Sequence, residues 1–340
     1  MNSRNTPVHS SDLLVLGAGP AGCAAAISAR LAGMSVTLLD KRCESHRIPG
    51  ETLHPGVESL FNSLGVLDEV LAQGFHRHSG IWRDEGDGQR RFQNYGCDSS
   101  GPWRGFQADR AQLNRILQAR AQNLGGVVRR VNRLDSALRS EDGAFAGVIA
   151  DGKTWTARVV LDATGRRSWL AGKLGLVPDI LSQSQRIRFG WSRIPPLELS
   201  GEPLFQIRRS GWNWVSPLGE RRCAWVELRY GDDARGMDYP WRIFRECAGQ
   251  GYYLLGDAAC LMDPSAANGV LRALMSGMQA VHLIRAADQG RIEPSEAAAK
   301  YRVWIAGLFE GTYSELHPAQ ARNAQTRNDA MTTSASRPPT

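Results

Sequence analysis

The feature that most constrains this chain is a glycine-rich turn between an apolar strand and an alanine-rich helix near its start. The apolar segment 12–16 (DLLVL) predicts a buried strand that runs directly into the sequence GAGPAG at 17–22. A helix is expected to follow as far as about Leu31, and segment 35–39 (SVTLL) predicts a second strand that ends at Asp40. Strand, glycine turn, helix, strand and terminal acid form one βαβ unit, which is typical of dinucleotide-binding proteins.

Each part of this unit has a chemical reason. We expect Gly17 to allow the tight turn, Gly19 to let the backbone approach a pyrophosphate, and Gly22 to let the helix lie close to the sheet. The free N–H groups at the start of the helix would then face the phosphates. Asp40 has the spacing expected of an acceptor for the ribose hydroxyls. The predicted set for this half of the site is Gly17, Gly19, Ala21, Gly22, Asp40 and Lys41.

Two further strand-and-turn segments distinguish FAD from NAD, which the βαβ unit alone does not. Segment 157–165 (ARVVLDATG) and segment 251–259 (GYYLLGDAA) each predict a strand followed by a small-residue turn. An aspartate directly after Gly256 can accept hydrogen bonds from a ribityl chain, and a helix that begins near Gly269 would direct its positive end at the flavin ring. The predicted set for this second half is Asp162, Gly165, Gly256, Asp257, Pro264, Asn268 and Gly269.

Composition excludes several other classes of protein. The net charge is +7, but the basic residues are scattered, so we expect no nucleic-acid partner and instead an anionic cofactor and an acidic partner or substrate. The six cysteines include no CxxC pair, which argues against zinc, a redox dithiol and a disulfide framework. No apolar run reaches the ~18 residues of a membrane span. Because segment 1–11 is polar, no signal peptide is expected, and we predict a cytoplasmic protein without a metal site.

The pattern of elements predicts an α/β fold, with a Rossmann-like FAD-binding domain and an inserted antiparallel-sheet substrate lobe. At 340 residues the chain exceeds the usual size of one core. Helical spacing recurs over 57–71 and 110–124, whereas 186–229 shows the period-two pattern of strands. The predicted ranges are 1–75, 108–172 and 250–319 for the FAD-binding domain, 76–107 and 173–249 for the substrate lobe, and 320–340 for a disordered tail.

The chain also resembles a known family. The segments GAGPAG at 17–22, PGETL at 49–53, ADR at 108–110, LDATG at 161–165 and GDAACLMDP at 256–264 resemble the flavoproteins of the para-hydroxybenzoate hydroxylase fold. Within that fold they are most similar to the branch of tryptophan halogenases, geranylgeranyl reductases and related monooxygenases. The resemblance covers residue 12 to about 310. It implies that Arg47, Glu51 and Thr52 lie near the flavin and that Arg110 contacts the pyrophosphate side, with Asp40 at the ribose and Asp257 at the ribityl chain.

Segment 211–219 (GWNWVSPLG) resembles the WxWxIP element of the halogenases. Trp212 and Trp214 are two positions apart, so on a strand they face the same side, either as an aromatic wall of the substrate site or as core. The halogenases also need a lysine in the substrate tunnel, and the resemblance would place it after the GET segment. No lysine lies between Arg42 and Gly152, which argues against halogenation. The lysines are Lys41, Lys153, Lys173 and Lys300.

Segment 263–278 (DPSAANGVLRALMSGM) most resembles the flavoprotein maturases of bacterial quinone-cofactor amine oxidases and dehydrogenases. That resemblance implies hydroxylation of a tryptophan in a partner polypeptide through a flavin C4a-hydroperoxide. His54, His76 and His78 fall near the expected cleft, but the sequence identifies no catalytic base. The candidates for a catalytic contact are His54, Trp212 and Trp214.

The source of electrons and the reaction remain open at this point. There is no second GxGxxG unit, and Thr164-Gly165 replaces the Asp-Gly of the hydroxylases, so we expect NAD(P)H to act either directly, by transient binding, or through a flavin reductase. Three functions fit the sequence. They are an aromatic monooxygenase acting on a peptide or a small molecule, a reductase of the geranylgeranyl type, and a flavin-binding protein without turnover.

Overall fold

The computed structural model describes residues 9–41, 51–193, 201–218, 222–231 and 233–335. The helices in these ranges are α1 (Pro20–Leu31), α2 (Val57–Leu64), α3 (Leu67–Ala72), α4 (Arg110–Asn123), α5 (Trp169–Leu174), α6 (Gly269–Asp288) and α7 (Pro294–Ala335). The strands are β1 (His9–Leu16), β2 (Val36–Lys41), β3 (Glu51–Leu53), β4 (His76–His78), β5 (Gly80–Asp84), β6 (Arg90–Asn94), β7 (Cys97–Asp98), β8 (Gly101–Pro102), β9 (Gly105–Ala108), β10 (Val127–Val131), β11 (Leu134–Arg139), β12 (Phe145–Ala150), β13 (Lys153–Asp162), β14 (Asp179–Ile180), β15 (Gln185–Arg193), β16 (Leu204–Arg208), β17 (Gly211–Pro217), β18 (Arg222–Tyr230), β19 (Met237–Asp238), β20 (Arg242–Ile243), β21 (Ala248–Gly249), β22 (Tyr252–Leu254) and β23 (Cys260–Leu261).

A mostly parallel sheet forms the centre of the first domain. Its parallel strands run in the order β10-β2-β1-β13-β22, while β12 and β11 continue the sheet antiparallel from the first half of β13. Leu16 at the end of β1 is in register with Leu39 of β2 and with Asp162 of β13, and Asp162 is in register with Leu254 of β22. The carboxyl ends of these four strands therefore lie at one edge of the sheet, where ligands of open α/β sheets bind.

Close packing of α1 against α6 covers this sheet. Both helices carry small residues at the contact, and a Cβ at Gly277 would lie only 2.3 Å from the carbonyl oxygen of Ala21. The helices can approach this closely because neither presents a large side chain there. The main core of the molecule includes α1, α6 and the parallel strands.

The substrate lobe is built on a second sheet, in the order β19-β15-β18-β17-β16-β5-β6. The two sequence ranges that we assigned to the lobe both contribute to it, since β5 and β6 come from the first range and β15 to β19 from the second. Smaller sheets, β3-β9-β4 and β14-β20-β23, lie at the junctions. The predicted fold class, a Rossmann-like domain with an inserted antiparallel sheet, is confirmed.

Most of the predicted elements form, and the differences have local causes. The helix expected over 57–71 is divided into α2 and α3, because Gly65 has a left-handed φ of 66° and ends α2. The prediction of a disordered tail from residue 320 differs from the structure, in which α7 continues to Ala335. Few apolar residues argued for disorder, yet alanine, glutamine and arginine, which dominate 319–327, favour a helix. Both β11 and α5 were not predicted.

Candidate cofactor site and adjoining cleft

The turn between β1 and α1 depends on three glycines for three different reasons. Gly17 has a φ of 102°, and a Cβ there would lie 2.4 Å from the carbonyl oxygen of Ala163 on the neighbouring strand end. A Cβ at Gly22 would lie 2.0 Å from the Gly17 carbonyl oxygen. Gly19 differs from both, because nothing lies within 4 Å of the position its Cβ would occupy. The open side of the turn is therefore at Gly19, where a pyrophosphate is expected.

The start of α1 has the properties of an anion site. Gly19 is its N-cap residue and makes no side-chain capping bond, and the first turn contains no acidic residue. The first N–H groups of this 12-residue helix consequently have no side chain that satisfies them, and they carry the positive end of the helix dipole. A phosphate would supply the missing acceptors.

Asp40 lies beside the turn, at the end of β2, as predicted. Its Oδ1 accepts a hydrogen bond from the N–H of Ala18 at 3.0 Å, and its Oδ2 is paired with the guanidinium of Arg130. Gln118 joins the two ends of the group, accepting from Arg130 Nη2 at 2.9 Å and donating to the Ala18 carbonyl at 2.9 Å. We did not predict Arg130 or Gln118. Arg130 is directly opposite Asp40 in the β10–β2 register, which only the sheet order reveals.

Asp162, a predicted cofactor residue, directs its side chain to the backbone of the following turn. Its side chain is fully buried, with Oδ1 accepting from the N–H of Thr164 at 2.8 Å and Oδ2 from that of Leu170 at 2.7 Å. Burial raises the pKa of this carboxyl group. Asp162 therefore holds the turn after β13 in shape, and it is Gly165, with a φ of 65° and nothing within 4 Å of a Cβ, that lies at the open side.

Asp257 follows Gly256 at the end of β22 and is half-buried. Burial raises the pKa of its carboxyl group, although the guanidinium groups of Arg272, Arg110 and Arg242 all act to lower it. Arg110 begins α4, where Asp109 caps the helix. This grouping brings the predicted pyrophosphate-side arginine and the predicted ribityl-binding acid into one electrostatic neighbourhood, at the carboxyl edge of the sheet.

The loop before α6 completes the site. Asn268 is the N-cap residue of this 20-residue helix, but its side chain makes no capping bond and its buried Oδ1 has no hydrogen-bond partner among the described residues. Gly269 is exposed, and nothing lies within 4 Å of the position of its Cβ. Pro264 and Ala267, whose φ of 51° is in the left-handed region, fix the backbone path of this loop. The unsatisfied Oδ1 is an acceptor and fits an N–H of a polar ring, whereas the open helix N-terminus beside it fits an anionic edge of that ring.

These observations agree on FAD as the group that fits. The fit rests on two helix N-termini without side-chain caps, on the open positions at Gly19 and Gly269, and on the unsatisfied Oδ1 of Asn268. The side chains of two predicted cofactor residues are outside the described structure. Arg47 lies outside the described residues, and the structure gives Glu51 only as backbone of β3, opposite Ala108. Lys41 is exposed at the end of β2.

Trp212 and Trp214 face the same side of the lobe sheet, as predicted, but they are buried, at 4% and 6% exposure. The indole N–H of Trp214 lies 2.9 Å from the hydroxyl of Thr52 and 2.9 Å from that of Ser216. Trp212 donates to Asp263 over 3.4 Å. Of the two alternatives for this pair, the structure favours core. Both tryptophans attach the lobe to segments of the FAD-binding domain, since Thr52 belongs to β3 and Asp263 precedes α6.

The same face of the lobe carries two exposed aromatic side chains that we did not predict. Phe189 and Trp191 of β15 are each 41% exposed. In the strand register, Phe189 is beside Val226 and then Trp214, and Trp191 is beside Ala224 and then Ser216, so all of these side chains point to one side. The signal in the sequence is the alternation in RIRFGWSR at 186–193, which we recognised as strand without knowing which face was covered.

Two of the three histidines near the cleft, His54 and His78, lie in surroundings that favour the neutral ring. The Nδ1 of His54 accepts from the N–H of Gly56 at 3.0 Å, which leaves the proton on Nε2. His78 is 2% exposed, its Nδ1 is 2.9 Å from the Gly80 carbonyl, and its Nε2 has no partner among the described residues. Burial lowers the pKa of both rings. His76 is exposed. None is paired with a carboxylate from the described part of the chain in the manner of an activated base.

No lysine side chain is part of this cleft. Lys153 is exposed at the start of β13, Lys173 donates to the Asp135 carbonyl over 3.2 Å, and Lys300 pairs with Glu296 at 2.8 Å. Lys173 begins the range that we assigned to the lobe, but it lies in α5 and its hydrogen bond reaches β11 of the first sheet, so none of the four lysines lies on a strand of the lobe sheet. Within the described ranges there is no cluster of His, Cys, Asp and Glu that could hold a metal ion, and no helix is long and apolar enough to cross a bilayer.

Fold and site together fit a flavoprotein that would bind its dinucleotide at the carboxyl edge of the Rossmann-like sheet, beside the open position at Gly19. Comparison with known proteins gives the family, because residues 10–211 match the FAD binding domain family, and the chain belongs to it. The 6-methylpretetramide 4-monooxygenase of Streptomyces rimosus is 32% identical, over 79% of this chain and 74% of that protein. The chain is an FAD-dependent oxidoreductase of a family that includes monooxygenases and halogenases.

Two halogenating enzymes are also similar to it. The tryptophan 2-halogenase of Chondromyces crocatus is 24% identical over 88% of this chain, and the matched part is 66% of that protein's length. The 1H-pyrrole-2-carbonyl-[peptidyl-carrier protein] brominase of Pseudoalteromonas luteoviolacea is 25% identical over 88% of this chain and 82% of that protein. The family thus contains enzymes named for reactions on indole and pyrrole rings.

Proposed function

We propose that this enzyme is a monooxygenase that hydroxylates an electron-rich aromatic ring, a tryptophan side chain held in a partner polypeptide. The observation that carries the proposal is the position of Phe189 and Trp191. They are exposed aromatic side chains on the face of the lobe that reaches β3 through Thr52 and packs against Ala267 in the loop before α6. An aromatic substrate could stack against them at the mouth of the flavin site.

The balance of the reaction requires O2 and two electrons. One oxygen atom enters the ring and the other leaves as water, and bound, reduced FAD supplies this oxygen chemistry. The electrons come from NAD(P)H, either directly or through a flavin reductase. The residues described here would bind and orient the cofactor. The open N-termini of α1 and α6 face its anionic parts, and the buried face around Trp214 excludes water from the side of the lobe.

The names of the relatives support both halves of this proposal. One is a monooxygenase, and another brominates a pyrrole that is attached to a carrier protein, so an electron-rich ring presented by a polypeptide has a parallel in the family. Halogenation is the competing chemistry. We favour oxygenation because none of the four lysines lies on a strand of the lobe sheet, whose face adjoins the flavin site.

The test incubates FAD-loaded enzyme with a flavin reductase, NADH and O2, and offers tryptophan-containing polypeptides encoded beside it, free indoles, and bromide or chloride. Parallel reactions without the reductase show whether NADH acts directly. The expected product is a polypeptide that gains one or two oxygen atoms at a tryptophan, located by fragment mass spectrometry. Oxygenation of free indoles with every polypeptide unmodified would refute the polypeptide substrate, and a brominated or chlorinated indole would refute the monooxygenase.

A further inference from the structure

One edge of the lobe sheet is unpaired beside the exposed aromatic residues. Strand β15 pairs with β18 along its whole length, from Gln185 to Arg193. On its other side β19 pairs only with Arg186 and Ile187. From Arg188 to Arg193 the outer edge has no strand partner among the described residues. Within the described ranges, alternate N–H and C=O groups of this segment are thus left without a strand to pair with.

The side chains along this edge combine two charges, Arg188 and Arg193, with two exposed aromatic residues. Natural edges are shielded by charges, prolines or bulges that discourage pairing. Here the edge displays Phe189 and Trp191, each 41% exposed, on the face that adjoins the flavin site. The opposite edge strand, β6, gives the contrast. Its exposed Phe92 is in register with Trp82, and Trp82 is in register with Leu204, so Phe92 points to the other face of the sheet.

The charge of this edge indicates what would pair with it. Arg193 is directly opposite Arg222 in the β15–β18 register, and both are exposed. Like charges opposite each other across two strands are unfavourable, and no described carboxylate pairs with either residue. Arg188 adds a third guanidinium, 3.5 Å from Glu227. A second copy of β15 would bring arginines against arginines, so an acidic strand is the complementary partner.

We propose that the Arg188–Arg193 edge of β15 is the docking strand for the substrate polypeptide, which adds to the sheet as an extended, acidic segment. This proposal rests on the proposed function and names how the substrate is held. Main-chain hydrogen bonds to the edge would give affinity, and Phe189 and Trp191 would contact alternate side chains. The edge lies two strand spacings, about 10 Å, from Ser216, whose hydroxyl is 2.7 Å from that of Thr52 beside the flavin site.

The experiment measures binding to FAD-loaded enzyme by fluorescence anisotropy. The probe is a labelled nine-residue peptide of alternating glutamate and valine with one central tryptophan. Companion peptides replace each glutamate with lysine, or carry N-methyl groups on alternate amides to block strand pairing. We expect Trp191→Ser and Arg193→Glu each to weaken binding of the acidic peptide at least tenfold. Phe92→Ser and Arg91→Glu, on the opposite edge of the same sheet, are the matched controls and should leave it within twofold.

Each outcome decides the matter. The alternate amides form two sets, and strand addition is supported if methylation of one set abolishes binding while methylation of the other does not. Equal binding of methylated and unmethylated peptides overturns it. Equal effects at both edges, or equal affinity for the lysine peptide, also overturn it. The experiment also distinguishes failure of the proposed function from failure of the docking proposal. A peptide that docks at β15 without being oxygenated contradicts the function but not the docking, and oxygenation that is unchanged by Trp191→Ser and Arg193→Glu contradicts the docking but not the function.

Discussion

The turn after β1 and the exposed face of the lobe sheet form their sites in opposite ways. In the turn the backbone is the site, and the residues that matter are those without side chains, because a Cβ at Gly17 or Gly22 would collide with a carbonyl oxygen. On the lobe face the proposed site consists of exposed side chains on a regular strand, whose outer edge would add main-chain hydrogen bonds. A backbone site tolerates almost no substitution, whereas a side-chain site can take a different substrate when a few residues change.

Gly22→Ala should give the largest effect. The new Cβ would lie 2.0 Å from the Gly17 carbonyl and 3.1 Å from Val15, both in the core of the turn. We expect a loss of about 3 kcal/mol in the free energy of unfolding, measured by urea denaturation, because no flexible side chain can move aside. Gly19→Ala is the control and should unfold at nearly the wild-type urea concentration, yet bind FAD more weakly. Equal stability of the two variants would contradict the assignment of roles.

Asp40→Asn should give the next largest effect, and it concerns the cofactor. The amide keeps the size of the side chain but loses the charge that the ribose hydroxyls need, so FAD should bind more weakly by about 1.5 kcal/mol. Arg130→Gln is the control, since it leaves the carboxylate in place and removes only a partly exposed ion pair worth about 1 kcal/mol or less. Fluorescence titration with FAD measures both. Equal losses of FAD affinity in the two variants would indicate that the Asp40–Arg130 ion pair, and not the carboxylate alone, binds the ribose.

How much the sequence could predict follows from the same contrast. The glycine turn, Asp40 and the start of α6 were predictable because short-range spacing encodes them. Arg130 was not, because its contact with Asp40 depends on β10 lying beside β2, which no local pattern specifies. Phe189 and Trp191 were recognised as strand residues, but their role depends on which face of the sheet the FAD-binding domain covers. For the same reason the sequence leaves two alternatives for Trp212 and Trp214, a wall of the substrate site or core, and only the structure favours core.

Trp214→Phe should have a moderate effect and test the junction between the two regions. Phenylalanine keeps most of the buried ring but removes the N–H that reaches Thr52 and Ser216 at 2.9 Å. We expect a loss of about 1–2 kcal/mol in the free energy of unfolding, because the two hydroxyls lose a buried donor. Trp212→Phe removes only the longer 3.4 Å contact to Asp263 and should cost less. The reverse order in urea denaturation would show that the Asp263 contact is the stronger attachment.

The smallest effect at neutral pH is a pH dependence of the free energy of unfolding, and it comes from His78 in β4. Burial lowers the pKa of this ring in the folded protein below the ordinary value of 6.5. A proton on the buried Nε2 would find no acceptor among the described residues. Above pH 6.5 both the folded and the unfolded chain hold a neutral ring, so the free energy of unfolding is unaffected there. As the pH falls below 6.5 the unfolded chain takes up a proton that the folded chain does not, and stability falls by up to about 1.4 kcal/mol per pH unit.

His78→Asn cannot titrate but keeps a donor near the position of Nδ1 for the Gly80 carbonyl, so its urea midpoint should depend less on pH between 6.5 and 5 than that of the wild type. His78→Gln, which places its amide near Nε2 instead, should show the same reduced pH dependence with a lower midpoint at every pH. A wild-type profile as flat as that of His78→Asn would mean that the buried ring takes up its proton as readily as the unfolded chain does.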